Sequence, residues 1–177
     1  METIETILYH GTTAANAEKL LVGQPLVALV DQAEDFLAGF GLSLDEFKSD
    51  ADWSHTYHYH FEMVREVKLS TTTDYLSAVG FALRAPEWRY YLFPYVESKI
   101  NGLETQEAWK SMAEEYYRKL PDPVVVTIGS PLQLKVIPPG FEKIMSIGEI
   151  TIDNPLAKGN RFIKSEVVSR ELNASKF

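Results

Sequence analysis

The chain has 177 residues, 45% hydrophobic and 24% charged, an ordinary balance for a folded chain that buries a real core. It contains no cysteine, which excludes disulfides, thiol catalysis and thiolate metal sites. The net charge of −8 argues against broad nonspecific nucleic-acid binding, and no apolar run approaches the roughly 20 residues that span a bilayer.

The first residues, Met1-Glu2-Thr3-Ile4-Glu5-Thr6, are acidic and do not read as a secretion signal, so a cytoplasmic location is expected. Residues Ile4 to His10 alternate apolar and polar and predict a strand, turned by Gly11-Thr12-Thr13. Thr13 is placed to cap a helix over Ala14–Leu21 that ends at Gly23, and a second helix is expected over Leu26–Ala38, stopped by Gly39 and Gly41. Ser43-Leu44-Asp45-Glu46 is a capping-box pattern that opens a short helix near Phe47.

From Thr56 to Leu69 the chain reads as β, with Tyr57, Tyr59, Phe61 and Met63 on one face and His58 and His60 on the other. The polar run Ser70–Asp74 leads into a helix over about Tyr75–Arg84, terminated by Pro86. Glu87–Ile100 is rich in aromatic residues and assigns no clear element. A helix over Thr105–Lys119 follows, with Ala108, Met112, Ala113, Tyr116 and Leu120 at helical spacing. Strands are expected at Val124–Ile128, Leu132–Ile137, Phe141–Met145, Gly148–Ile152 and Arg161–Val168, with a Gly129-Ser130-Pro131 turn after the first. The order gives an α+β chain with a mostly antiparallel β half, and residues after Leu172 read as a disordered end. The length fits one domain over 1–177, with room for an inserted subdomain.

Three segments carry candidate chemistry: Leu8-Tyr9-His10-Gly11-Thr12-Thr13, then Leu69-Ser70-Thr71-Thr72-Thr73-Asp74 with Ala78–Ala82 behind it, and Ile147-Gly148-Glu149-Ile150. Together they resemble the ADP-ribosyltransferase superfamily. Tyr9-His10-Gly11-Thr12 is similar to the first motif of its histidine-first branch, the diphtheria-toxin and poly(ADP-ribose) polymerase groups. Ser70-Thr71-Thr72 stands where that branch carries a tyrosine. It is closer to the serine-threonine-serine motif of the arginine-first branch. Ile147 occupies the position where many arginine-modifying members hold a second acid, which argues against arginine as the target.

The resemblance implies an α+β fold of mostly antiparallel split β-sheets flanked by helices, with NAD as substrate. It implies that Glu149 and His10 are catalytic, and that His10, Gly11, Thr12, Ser70, Thr71, Tyr75 and Phe81 bind NAD. The chemistry suits these residue types. A carboxylate stabilises the positive charge that develops on ribose as nicotinamide leaves. A glycine admits close approach to its backbone, and the ring of Phe81 or Tyr75 suits stacking on nicotinamide. The expected partner is a macromolecular acceptor, protein, RNA or DNA, with the acidic net charge favouring protein slightly. The resemblance further suggests a bacterial or phage toxin or effector with an antitoxin or host protein as partner. The alternatives are an inactive binding module of the same fold and an RNA- or DNA-directed transferase, RNA 2′-phosphotransferases sharing the histidine-glycine feature.

Other features have plainer readings. His55, His58 and His60 suggest surface or core residues more than a metal site. Trp88–Tyr95 reads as core or interface, and the basic stretch Lys158, Arg161, Lys164 and Arg170 as solvated surface.

Overall fold

Alternation in the first segment produces strand β1, Thr6–Thr13. The computed structural model describes residues 5–58, 61, 69–86, 88–131 and 150–170. The described chain is α+β and divides into two compact units, one of residues 1–26, 67–85 and 121–177, the other of residues 27–66 and 86–120. Among the described residues no helix is long and apolar enough to cross a membrane.

Among the described residues the first unit is built on a three-stranded antiparallel sheet ordered β1-β2-β3, where β2 is Pro123–Ser130 and β3 is Arg161–Val167. The central strand reads Pro-Val-Val-Val-Thr-Ile-Gly-Ser and every residue of it is buried. Such a β-branched run, apolar on both faces, suits a strand covered from above and below. The register pairs His10 with Val126 and Gly11 with Val125, and β3 carries a bulge opposite Thr127/Ile128.

Leu8, Val124, Val126 and Ile128 point to one face, where they pack with Leu69, Ile150 and Leu20. Leu20 belongs to α1, Ala14–Leu21, whose first turn is capped by the Thr13 side chain accepting from Asn16 N–H. Val125 points to the other face and packs with Ala78 and Ala82 of a second helix, Tyr75–Arg84. That helix is capped by Asp74, which accepts from Ser77 N–H at 2.9 Å and Ser77 O–H at 2.6 Å.

Two predicted turns are strand instead. β1 runs on through Gly11 to Thr13, and β2 includes Gly129 and Ser130. Gly11 continues β1 by pairing with Val125, and the 75–84 helix packs directly on it. A Cβ there would fall 2.5 Å from the Ala82 nitrogen and 2.9 Å from the Phe81 Cβ. The expected strands at 132–137 and 141–145, and residues 148–149 of the next, lie outside the described residues.

The second unit is helical: α2 Leu29–Ala38, α3 Leu44–Ser49 and α4 Ser54–Tyr57, with the 75–84 helix of the sheet unit numbered α5, then α6 Arg89–Lys99 and α7 Leu103–Arg118. The Ser43/Glu46 capping box forms as expected and starts α3. Helix α4 includes Thr56 and Tyr57, where a strand was expected to begin. Tyr57 and Phe61, four apart, are both buried, with rings stacked at 6.0 Å. Four-residue spacing serves a helix face as well as an alternating strand does, so the aromatic pattern did not separate the two. The rest of that predicted strand lies largely outside the described residues.

The aromatic segment is core. α6 carries Pro94 within it and buries Leu92, Phe93, Tyr95 and Val96 against Phe47, Phe61 and Trp109. On α7 the packed face centres on Trp109, with Met112, Ala113 and Tyr116 beside it, while Ala108 is exposed. The bulky indole displaces the face predicted from Ala108 by one position.

Candidate functional site

The site begins with the alternation of β1. Tyr9 exchanges both backbone hydrogen bonds with Thr72, its N–H donating at 2.7 Å and its carbonyl accepting at 2.9 Å. Strand geometry then directs the N–H and C=O of Gly11, two positions on, to the same outer edge. Continuing that bridge antiparallel would set Ser70 across from Gly11. The Ser70 carbonyl is instead engaged by the His10 ring, accepting from Nδ1 at 2.7 Å. No described residue pairs with the Gly11 backbone on that edge. A donor and an acceptor therefore stand side by side on the strand margin, with α5 packed against the same glycine.

A carbonyl oxygen only accepts, so the neutral His10 ring carries its proton on Nδ1 and presents the Nε2 lone pair. Burial pushes the His10 pKa below the usual imidazole value, against the opposing pull of the Ser70 carbonyl. The lowered pKa favours the neutral ring, whose Nε2 lone pair can accept a hydrogen bond.

The second and third motif segments meet through the backbone. Leu69 N–H donates to the Ile150 carbonyl at 2.6 Å, and both side chains are buried in the core cluster that holds Leu8. Three stretches distant in sequence thus join through His10–Ser70, Tyr9–Thr72 and Leu69–Ile150. Glu149 precedes Ile150 and lies outside the described residues.

The remaining candidates take distinct places. Thr12 is buried, and its hydroxyl accepts from Asn16 Nδ2 at 3.2 Å, bracing α1. Thr71 is buried and Ser70 exposed. Tyr75, the first residue of α5, lies edge-on to Tyr9 with ring centroids 5.3 Å apart, and its hydroxyl donates to Glu166 at 3.1 Å. Burial and then the Glu166 carboxylate raise the Tyr75 pKa, while Lys164 and then Tyr75 lower that of Glu166. Phe81 is 43% exposed, with the Arg84 guanidinium over its ring. His10 and Tyr75 therefore serve opposite faces of the sheet, and Gly11 is the residue whose backbone lies on the edge between them.

Sequence reasoning missed the Tyr9–Thr72 bridge and the Tyr75–Glu166 contact. The first rests on too few residues to show a period, and the second joins positions 91 apart. The basic stretch is largely committed within the unit: Arg161 forms two 2.6 Å bonds to Glu5, Lys164 pairs with Glu166, and Arg170 donates to the carbonyls of Leu83 and Pro121. Among the described residues no group of three His, Asp or Glu side chains is placed to hold a metal ion. No family model matches the chain, and neither does any curated protein or solved structure.

Proposed function

We propose that the chain is an NAD-dependent mono-ADP-ribosyltransferase acting on a macromolecule, protein in preference to RNA or DNA. The observation that carries this reading is the hydrogen-bonded chain from His10 through Ser70 and Leu69 to Ile150, which draws the three motif segments together.

The Gly11 edge suits the nicotinamide carboxamide, which has an N–H donor and a C=O acceptor to match the strand's own pair. Phe81 is the better candidate than Tyr75 for the stacking ring. It is exposed beside Gly11, whereas the Tyr75 ring and hydroxyl are taken up by Tyr9 and Glu166. His10 Nε2 accepts from a ribose hydroxyl. The nicotinamide–ribose bond breaks with its electron pair leaving on nicotinamide, and an acceptor nucleophile bonds to the ribose carbon and gives up its proton. Glu149 supplies the negative charge that steadies the ribosyl cation between these events.

The test incubates the full chain with labelled NAD and cell extract beside Glu149→Gln, His10→Ala and Phe81→Ala. Wild type is expected to label a macromolecular band, and Glu149→Gln to reduce the rate by about 100-fold or more. Labelling that persists in Glu149→Gln overturns the mechanism. NAD binding without transfer or hydrolysis in any protein or nucleic-acid pool makes the chain a binding module, the outcome that Ser70 in place of a tyrosine would favour.

A further inference from the structure

The two units differ sharply in charge. Residues 27–66 and 86–120 hold fifteen Asp and Glu against seven Lys and Arg, while the sheet unit holds ten of each, so the helical unit carries the whole −8. In that unit α6 and α7 leave an open cleft of about 760 Å³. This lies within the roughly 300–1,000 Å³ range of sites that take a few side chains or a small ligand.

Apolar and charged side chains both line the cleft. Phe93 and Trp109, both buried, form its floor, and Tyr90 stands half-exposed beside them. Glu97 and Glu114 line it and are exposed. Two cations also line it. Arg89 is buried, its guanidinium set over the rings of Tyr90 and Tyr116 and donating to both hydroxyls. Lys110 is exposed, with Glu107 and Glu114 a turn away on either side along α7. Elsewhere in the unit Asp31, Glu34, Asp35, Asp45 and Glu46 are all exposed, in a stretch with no basic residue before Lys48.

We propose that the α6–α7 cleft docks a basic segment of a partner protein, with apolar side chains on the face it turns inward. Those side chains cover the Phe93–Trp109 floor, and its Lys and Arg residues meet Glu97, Glu114 and the wider negative field. That field repels nucleic acid and acidic peptides. The docking does not rest on the NAD reading, and its test measures binding rather than transfer.

The experiment titrates ¹⁵N-labelled full-length protein with a short amphipathic peptide of Leu and Lys, and with its counterpart of Leu and Glu, following the indole signals of Trp53, Trp88 and Trp109. The Leu/Lys peptide is expected to move the Trp109 signal and leave Trp53 in place, more weakly as salt rises. Glu97→Lys with Glu114→Lys, both at exposed positions, is expected to weaken binding at least about tenfold. Ala113→Phe, which fills the cleft without changing charge, is expected to weaken it as well. Signals away from the cleft that match wild type establish that each variant is folded. The proposal is overturned if the Leu/Glu peptide moves Trp109 equally, if the lysine pair leaves affinity unchanged, if Ala113→Phe has no effect, or if Trp109 does not respond. An oligonucleotide that binds the cleft as tightly as the Leu/Lys peptide overturns it too.

Discussion

Replacing Gly11 with alanine tests the packing on which the site is built. In an ordinary strand the change would stabilise, because glycine in a strand interior costs about 0.5–1 kcal/mol relative to alanine. At Gly11 the added methyl falls 2.5 Å from the Ala82 backbone nitrogen and 2.9 Å from the Phe81 Cβ, and closer still to the Ala78 carbonyl. Comfortable carbon contacts need about 3.5 Å, so α5 must retreat from β1 by about 1 Å. The obstructing atoms are mostly helix backbone, which places the cost near the upper end of the 1–3 kcal/mol typical of over-packing. The net expectation is a loss of about 2 kcal/mol. Gly80, on the same helix, supplies the control. A Cβ there meets nothing within 4 Å, and alanine should gain about 1 kcal/mol in helix propensity. Urea unfolding of the two variants should move the midpoint in opposite directions at unchanged slope. A Gly11→Ala protein as stable as wild type would refute the claim that α5 rests on the strand backbone.

Asp74→Ala removes the acceptor of both Ser77 donors and should cost about 0.5–2 kcal/mol in urea unfolding, with Asp74→Asn recovering most of it. His10 adds a pH dependence. Its folded pKa is depressed by burial, so as pH falls through the unfolded value of about 6.5 the unfolded chain takes up a proton that the folded chain resists. Stability falls from there down to the folded pKa and then levels; Glu5, Asp50 and Glu166, also lowered, lose their contributions only below about pH 5. Urea midpoints of wild type and His10→Gln should converge as pH drops through that upper window, and parallel curves would contradict the assignment. Thr127 is buried on β2, its hydroxyl without a hydrogen-bond partner among the described residues, so Thr127→Val should raise stability by about 1 kcal/mol, read as a higher Tm.

Local signals were legible in the sequence where the physics is local. Thr13 caps α1 and the Ser43 box starts α3 because a side-chain oxygen needs only a backbone N–H two or three residues away. The helix at Tyr75–Arg84 was likewise bounded by the polar run before it and by Pro86. Misreadings arose where a distant element decided the outcome. Gly11 suggested a turn, yet it is a strand residue made small by a helix some 70 positions later. Gly129-Ser130 also suggested a turn, yet both belong to β2, where the Glu5 side chain lies against Gly129. The Tyr57–Phe61 spacing fitted two periodicities, and packing against Phe47 chose the helical one. For the candidate site, the sequence supplied the residue types and their order. The convergence of His10, Ser70 and Ile150 came from a ring-to-carbonyl bond and from backbone pairing that no spacing encodes.

The chain passes between its two units four times, and each unit is assembled from separate stretches. During synthesis β1 therefore waits more than a hundred residues for the partner strand that flanks it in the finished sheet. Long-range pairing of this kind closes slowly and leaves an unsatisfied strand margin in the nascent chain, a natural substrate for holding chaperones. Residues 27–120 hold the complete helical unit, so its segments are all made before β2 leaves the ribosome. Truncations ending near residue 120 should therefore keep helical signal while failing to protect the β1 amides from hydrogen exchange.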